Sequence, residues 1–289
     1  MRGIHKVLGV ALSVLFLVWF LSGLVMMYHT FPSVNEYDRL KKMDPLSAEG
    51  LPPIEQVAAR LPEGETIRRL TLDSYMGVPC FHVEGEAGSY DLPADSCYKF
   101  PPTPDFDRIA THWVNAPIAR IDTLNELEQW IPFSRLRKEF PIYKYHFADE
   151  GRHELYLSSK SGRVLQLTDA KSRFWAWVGA IPHWIYFTSL RQDLERWSSV
   201  VVWLSGIGCV MCLAGGYLCV RDIRLARRRG KRLTPYKKFW FKWHHLGGAL
   251  FGVVVLTFCF SGMMSLANTQ GLVLSPRLPF SPQERMRQL

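Results

Sequence analysis

Three long apolar runs constrain this chain more than any other feature. The first covers residues 7–30 without a charged side chain, the second covers 197–220, and the third begins at 243 and ends near 267. An α-helix needs about 20 apolar residues to cross a bilayer. The sequence therefore predicts a membrane protein, an α-helical bundle whose three spans are 1–30, 197–220 and 243–267.

The first run has a second interpretation, the apolar part of a cleaved signal peptide, because Arg2 and Lys6 give it a basic start. Its apolar stretch is longer than the usual length of about 7–15 residues. The bulky residues 26–29 also differ from a small-residue cleavage site. We therefore expect an uncleaved anchor.

Positive charge is concentrated between the second and third runs. The segment 221–242 has one acid, Asp222, and ten basic side chains: Arg221, Arg224, Arg227, Arg228, Arg229, Lys231, Arg232, Lys237, Lys238 and Lys242. A basic stripe can bind nucleic acid, but beside a span it more often marks a loop that stays in the cytoplasm. We expect no nucleic-acid partner, and we expect the 221–242 loop and the N-terminus in the cytoplasm. Residues 31–196 and the tail 268–289 then lie outside, which in a bacterium is the periplasmic side of the inner membrane.

The long segment between the first two spans is expected to form a soluble domain. Apolar spacing and turn residues predict a helix over 52–61, strands over 67–75 and 78–84, a partly helical 122–140, and a hairpin of 154–158 with 163–167. The aromatic segment 174–187 is typical of an amphipathic helix at a membrane surface. The sequence predicts that 31–196 is a periplasmic α+β lobe of two small units that ends in this interfacial helix.

Two of the six cysteines, Cys80 and Cys97, fall in this lobe. An oxidising compartment permits a disulfide between them, and the alternative is two buried thiols. The other four lie in the spans. There the Cys209-Val-Met-Cys212 spacing is better explained by helix packing than by a metal site.

The first and third spans repeat one motif. In each, a histidine is followed by Gly four residues later and by Ser-Gly after 17 and 18 residues. The two copies start at His5 and His244, which are 239 residues apart. Because both spans run in the same direction, the two histidines are expected to face each other at the same depth. The offset selects His244, with its neighbour His245 as the alternative.

Two facing histidines near a bilayer surface suit a shared metal. Zinc would lack further ligands, whereas haem iron takes two axial nitrogens. The chain has no Cys-x-x-Cys-His motif, so any haem is expected to be b-type. His29 lies about 36 Å along the helix from His5, and with His183 it predicts a second haem at the outer surface. The alternative is four unrelated histidines at bilayer interfaces, and we interpret His82, His112, His146 and His153 as surface or core residues of the lobe.

Five short motifs, spread over nearly the whole chain, carry a resemblance to a known family. They are the His5-x-x-x-Gly9 start of the first span, its Ser22-Gly-Leu24 end, the Ser161-Gly-Arg-Val-Leu165 hairpin, the Pro182-His-Trp184 segment, and Trp243-His-His-Leu-Gly-Gly248 after the basic loop. Together they resemble the PepSY-associated transmembrane family of bacterial inner-membrane proteins. The layout is similar to that of the iron–siderophore reductases of the ferrioxamine type within it. The resemblance implies PepSY-like modules in the lobe, b-type haems on His5, His29, His183 and His244, and electron transfer to ferric siderophores.

Three functions follow, and we favour the first. It is a haem b electron-transfer protein, an oxidoreductase that reduces a ferric siderophore or another ferric chelate in the periplasm. Its electron donor would be a quinol or a protein. The second is a membrane-anchored PepSY module that binds peptide or regulates a protease without redox chemistry. The third, an ion-coupled transport subunit, is disfavoured because no charged residue lies in the centre of a span.

Overall fold

A computed structural model of the chain describes residues 1–42, 46, 50–75, 78–97, 104–230 and 233–267. In chain order its elements are α1 (Arg2–Met26), α2 (Glu36–Lys42), α3 (Ile54–Ala58), β1 (Ile67–Tyr75), β2 (Val78–Gly85), β3 (Ser89–Pro93), α4 (Phe106–Trp113), β4 (Ile118–Leu124), a 3-10 helix (Ser134–Glu139), β5 (Ile142–Phe147), β6 (Glu154–Ser158), β7 (Val164–Thr168), α5 (Ala170–Val178), α6 (Ala180–Trp184), α7 (Thr188–Arg191), α8 (Leu194–Arg228) and α9 (Phe239–Ala267). The predicted tail 268–289 lies outside the described residues.

Within the described residues, α1, α8 and α9 are the helices long and apolar enough to cross a membrane, with mean hydropathies of 2.4, 1.9 and 2.1. This confirms a membrane protein with three candidate spans. The helix α8 packs against both α1 and α9. Large apolar side chains of the spans, such as Val10, Leu213 and Phe258, are exposed, as expected of surfaces that contact lipid.

The helix α8 is longer than the apolar run that predicted it. The second span was expected to end at 220 and to pass into a basic loop, but α8 continues to Arg228. The extension contains four Arg, one Leu and one Ala among its eight residues, and these residue types favour helix. It ends before Gly230, whose φ of 69° lies in the left-handed region that glycine adopts readily. The first two turns of the basic segment are therefore a rigid continuation of the span.

The chain divides into two compact units. The membrane unit comprises Met1–Phe31, Leu127–Leu136 and the residues from Phe174 onward, and the soluble unit comprises Pro32–Glu126 and Arg137–Arg173. The aromatic segment 174–187 thus belongs with the membrane-spanning helices. Helix α6 within it packs against α1.

The soluble unit contains two antiparallel sheets, each associated with a helix. The first sheet has the order β1-β2-β3, and its core consists of Val57 from α3 with Phe81 and Val83 from β2. The side chains of β2 alternate between buried and exposed, as expected for a sheet with one covered face.

The second sheet has the order β4-β5-β6-β7. Its core joins Ala110 and Val114, from α4 and its C-terminal end, to Tyr145, Leu155 and other apolar strand residues. Helix α4 begins at Asp105, whose carboxylate accepts a hydrogen bond from the Arg108 amide at 3.1 Å, a common N-cap. The predicted strands 67–75, 78–84 and 154–158 agree with β1, β2 and β6.

The prediction of a partly helical 122–140 was wrong for its first half. Residues 118–124 form strand β4, and only the 3-10 helix Ser134–Glu139 is helical. The stripe of Leu124, Leu127 and Ile131 suggested a helix, but Thr123 and its neighbours favour a strand and Pro132 interrupts a helix. Ile131 is instead fully buried within the membrane unit.

Candidate functional site

The structure brings His5 and His244 together. His5 is the fourth residue of α1 and His244 is the sixth residue of α9, and their ring centroids are 6.0 Å apart with an interplanar angle of 46°. The same depth in both helices follows from the repeated sequence motif. This pair is the centre of the candidate site.

The imidazole of His5 is oriented by α8. Its Nδ1 lies 3.1 Å from the carbonyl oxygen of Met211, a distance at which the Nδ1–H tautomer donates a hydrogen bond and leaves Nε2 available. The ring reaches this carbonyl because residue 215 is glycine. A Cβ at Gly215 would lie 2.7 Å from His5 Cε1, closer than two carbons can approach.

His245 has a different environment. It is 8% exposed, and neither ring nitrogen has a hydrogen-bond partner among the described residues. Its ring packs against Tyr236 with the centroids 5.5 Å apart. The Tyr236 hydroxyl donates to the buried Asp222 carboxylate, and this hydrogen bond raises the pKa of Tyr236. The histidine that meets His5 is therefore His244.

The predicted outer histidines each contact another partner. The ring of His29 stacks on Trp175 with the centroids 4.4 Å apart and the planes within 11°. His183 Nδ1 lies 3.1 Å from the Trp19 carbonyl, and a Cβ at Gly23 would lie 3.1 Å from His183 Cε1. His183 thus contacts α1 six residues before His29. In the part of the chain that the structure describes, the rings of His29 and His183 do not contact each other.

Two cysteines of the spans lie where α8 and α9 pack. Cys209 of α8 and Cys259 of α9 are buried. A Cβ at Gly208 would lie 3.2 Å from Cys259 Sγ, so α8 and α9 approach closely here. The arrangement agrees with the packing interpretation.

The lobe cysteines both belong to the soluble unit. Cys80 lies buried on β2, and Cys97 lies exposed after the end of β3. The structure contains no disulfide bond between these two residues. The disulfide stays a prediction.

The soluble-unit histidines have local partners. His82 pairs with Asp91, His146 with Asp122 at 2.9 Å, His153 with Asp149 at 2.6 Å, and His112 with the Lys42 carbonyl at 2.6 Å. Burial opposes ionisation of Asp122, but hydrogen bonds and positive charge from His146 and Arg120 outweigh it and lower the pKa of that carboxyl. In the described part of the chain, no three His, Cys, Asp or Glu side chains converge to hold a metal ion.

Sequence reasoning missed Gly215 and the Met211 carbonyl, which together orient His5. The available signal was the Gly215-Gly216 pair within an apolar run, since a glycine in a span often marks a close approach. Sequence reasoning also missed the contact of His183 with Trp19, because it depends on a turn in the backbone. Ile185 ends α6 with a φ of 54°, a conformation unusual for a β-branched residue.

Comparison with known proteins gives one match. No curated protein and no solved structure matches the chain. The family of the PepSY-associated TM region matches residues 2–278, which include all three spans and both sheets. The chain therefore belongs to the PepSY-associated TM family.

Proposed function

We propose that this protein is a haem b-containing electron-transfer protein, in which His5 and His244 would hold one haem. The observation that carries the proposal is the 6.0 Å separation of the two ring centroids. Two imidazoles that held the same metal ion, each through a metal–nitrogen bond of about 2 Å, would have centroids about 6 Å apart. The separation therefore fits a single metal ion between the rings.

The environment of the pair supports the same proposal. Metal-bound histidines usually donate their other ring N–H to a carbonyl or carboxylate, and His5 Nδ1 has the Met211 carbonyl at 3.1 Å. A Cβ at Gly247 or Gly248 would meet nothing within 4 Å. These glycines leave open space along α9 for a flat macrocycle.

The ligand set selects the type of chemistry. Haem iron with two histidine ligands has no open coordination position, so it supplies one-electron transfer rather than oxygen chemistry. We propose a ferric siderophore, or another ferric chelate, as the electron acceptor on the periplasmic side of a bacterial inner membrane. A quinol or a protein would be the donor. The choice of acceptor rests on the resemblance of the sequence motifs to iron–siderophore reductases.

A second haem stays a prediction, because His29 and His183 contact separate partners, and we derive no step through it. Of the two, His183 is better prepared to bind a metal. Its Nδ1 lies 3.1 Å from the Trp19 carbonyl oxygen, just as the Nδ1 of His5 lies 3.1 Å from the Met211 carbonyl oxygen. In both histidines this leaves Nε2 available to bind a metal. His29 instead stacks its ring on Trp175.

A visible spectrum of the detergent-purified protein from haem-replete cells tests the proposal. The dithionite-reduced minus oxidised spectrum should show b-type bands, and a pyridine haemochrome count should give one haem for the inner pair alone and two if the outer pair forms. His5→Ala and His244→Ala should each remove the inner haem, because each removes one of its two ligands. The matched control His245→Ala should retain it.

Other outcomes would change the proposal. Loss of haem in His245→Ala but not in His244→Ala would transfer the ligand role to His245. A colourless wild-type protein would refute the redox function and favour the membrane-anchored PepSY module that binds peptide or regulates a protease. If the reduced protein is not reoxidised by a ferric siderophore under anaerobic conditions, the proposed acceptor is wrong.

A further inference from the structure

A groove runs along one face of α8 where the apolar span passes into its basic extension. Its volume is about 640 Å³. Gly216, Tyr217 and Val220 line the apolar end, and Arg221, Arg224 and Arg228 line the basic end. Neither His5 nor His244 lines the groove.

The groove follows from the helical repeat. Residues 216, 220, 224 and 228 are spaced by four, so they lie on one face of α8. A Cβ at Gly216 would meet nothing within 4 Å, so this position leaves the apolar end open. The side chains of Tyr217 and Val220 are 56% and 49% exposed. An occupant at this end therefore meets apolar surface.

The basic end has uncompensated positive charge. Arg221 is already paired with the buried Asp222, to which its Nε and Nη2 donate at 2.9 and 2.6 Å. Arg224 and Arg228 make no ion pair with any of the residues that the structure describes. No acidic side chain lines the groove. The two free arginines can therefore bind an anion.

The position of the arginines identifies the kind of anion. They occupy the first two turns after the apolar run, the depth at which headgroup phosphates lie when α8 crosses a bilayer. An occupant must place an apolar part on Tyr217 and Val220 and an anionic part on the arginines. A free phosphate would leave the apolar end open to water. A zwitterionic lipid would bring a cation close to three arginines.

We propose that this groove is a binding site for a single anionic phospholipid. The phosphate would lie between Arg224 and Arg228, with Arg221 beside it, because arginine binds phosphate oxygens through paired N–H groups. An acyl chain would lie along Val220, Tyr217 and Gly216. The site would fix the depth of α8 in the leaflet that faces its basic end.

Native mass spectrometry of the full-length protein in detergent tests the proposal. Phosphatidylglycerol should bind as one saturable lipid per chain, and phosphatidylcholine should bind much more weakly. The double variant Arg224→Gln/Arg228→Gln should bind phosphatidylglycerol about 25-fold more weakly, since each basic side chain beside an anionic lipid contributes about fivefold. Both side chains are exposed on the helix surface, so the fold should persist.

The matched control is Arg227→Gln/Arg229→Gln, which removes the same charge from exposed positions outside the groove. It should leave phosphatidylglycerol binding within about twofold of the wild type. Equal losses in both double variants would show a diffuse electrostatic effect and overturn the proposal. Equal binding of phosphatidylcholine, or displacement of the lipid by millimolar inorganic phosphate, would overturn it as well.

Discussion

At the scale of single residues, Gly215 determines whether His5 can take its observed position. The glycine allows the imidazole to approach the α8 backbone and to reach the Met211 carbonyl. The adjacent Gly216 has open space around it. A side chain at position 215 would collide with His5, whereas a side chain at position 216 would meet no neighbour. The two glycines are therefore a matched pair for mutagenesis.

We expect Gly215→Ala to lower haem affinity by about 10- to 100-fold, the usual effect of losing a contact that orients a metal ligand. The added methyl group would displace the His5 ring from the Met211 carbonyl. Gly216→Ala should retain wild-type haem, and it should stabilise the helix slightly because alanine favours helix more than glycine does. Haem titration of the two purified apoproteins measures both effects. Equal haem affinity in both variants would contradict the role assigned to Gly215.

The sequence could predict the histidine pair but not its surroundings. The constant offset between the motifs of the first and third spans was sufficient to select His5 and His244, since two parallel copies place equivalent residues at equal depth. The partners of those residues depend on packing against α8, which lies between the copies in the chain and shares no motif with them. The stacking of His29 on Trp175 likewise depends on tertiary packing that no sequence motif indicates.

At the scale of elements, Glu65 clamps the β2–β3 hairpin. Its carboxylate accepts hydrogen bonds from the Tyr90 hydroxyl at 2.7 Å and from the amides of Glu86 and Ala87 at 2.6 and 3.1 Å. The Tyr90 hydrogen bond, followed by the two amides, lowers the pKa of Glu65. Because the folded pKa lies below the unfolded value, this stabilisation is complete above the unfolded pKa and is lost as pH falls through the folded one.

We therefore expect Glu65→Gln to speed hydrogen exchange in the β2–β3 hairpin at pH 7, because the neutral amide accepts these hydrogen bonds more weakly. The difference from the wild type should begin to shrink below the unfolded pKa of about 4.3 and should disappear only below the lowered folded pKa, where the wild-type carboxylate is itself protonated. Hydrogen-exchange mass spectrometry of peptides from 78–93, corrected for the intrinsic pH dependence, measures this. Glu63→Gln, an exposed carboxylate nearby, should have no effect. A difference that stays constant from pH 7 down through the lowered pKa of Glu65 would refute the clamp.

Element boundaries were predictable where one force dominates. The spans and the strands β1, β2 and β6 follow directly from apolar runs and alternation. The extension of α8 was missed because a hydropathy criterion stops at the first charge, whereas helix propensity and backbone hydrogen bonding continue. The 122–140 segment was misassigned because its apolar residues belong to different structures. Leu124 ends strand β4 of the soluble unit, whereas Ile131 is buried in the membrane unit.

At the scale of the whole molecule, the distribution of charge predicts the orientation in the membrane. The ten basic side chains and one acid of residues 221–242 give this segment a net charge of +9, which equals the formal net charge of the whole chain. The rest of the chain is therefore balanced in formal charge. If the basic segment is cytoplasmic, the soluble unit must lie on the opposite side, because one span separates the two.

Labelling with a membrane-impermeant maleimide tests this orientation in spheroplasts of a bacterial host. Cys97, which is exposed, should react from outside, because it lies in the soluble unit. A cysteine introduced by Arg229→Cys should react only after permeabilisation. Labelling of Cys97 that requires a reductant would support the predicted disulfide with Cys80. Labelling of Cys97 only after permeabilisation would show that the orientation is inverted.

The pairing of His5 with His244 also has a consequence for biosynthesis. The two residues are synthesised 239 residues apart, which at about 5–20 residues per second takes roughly 10–50 seconds. The α8 carbonyl that orients His5 is made before α9, so His5 can dock on Met211 while the third span is still in the ribosome. The second histidine arrives only when that span inserts. A nascent chain that stalls before α9 therefore presents one histidine of the pair, and under the proposed function haem could be held by both residues only after the last span has been inserted.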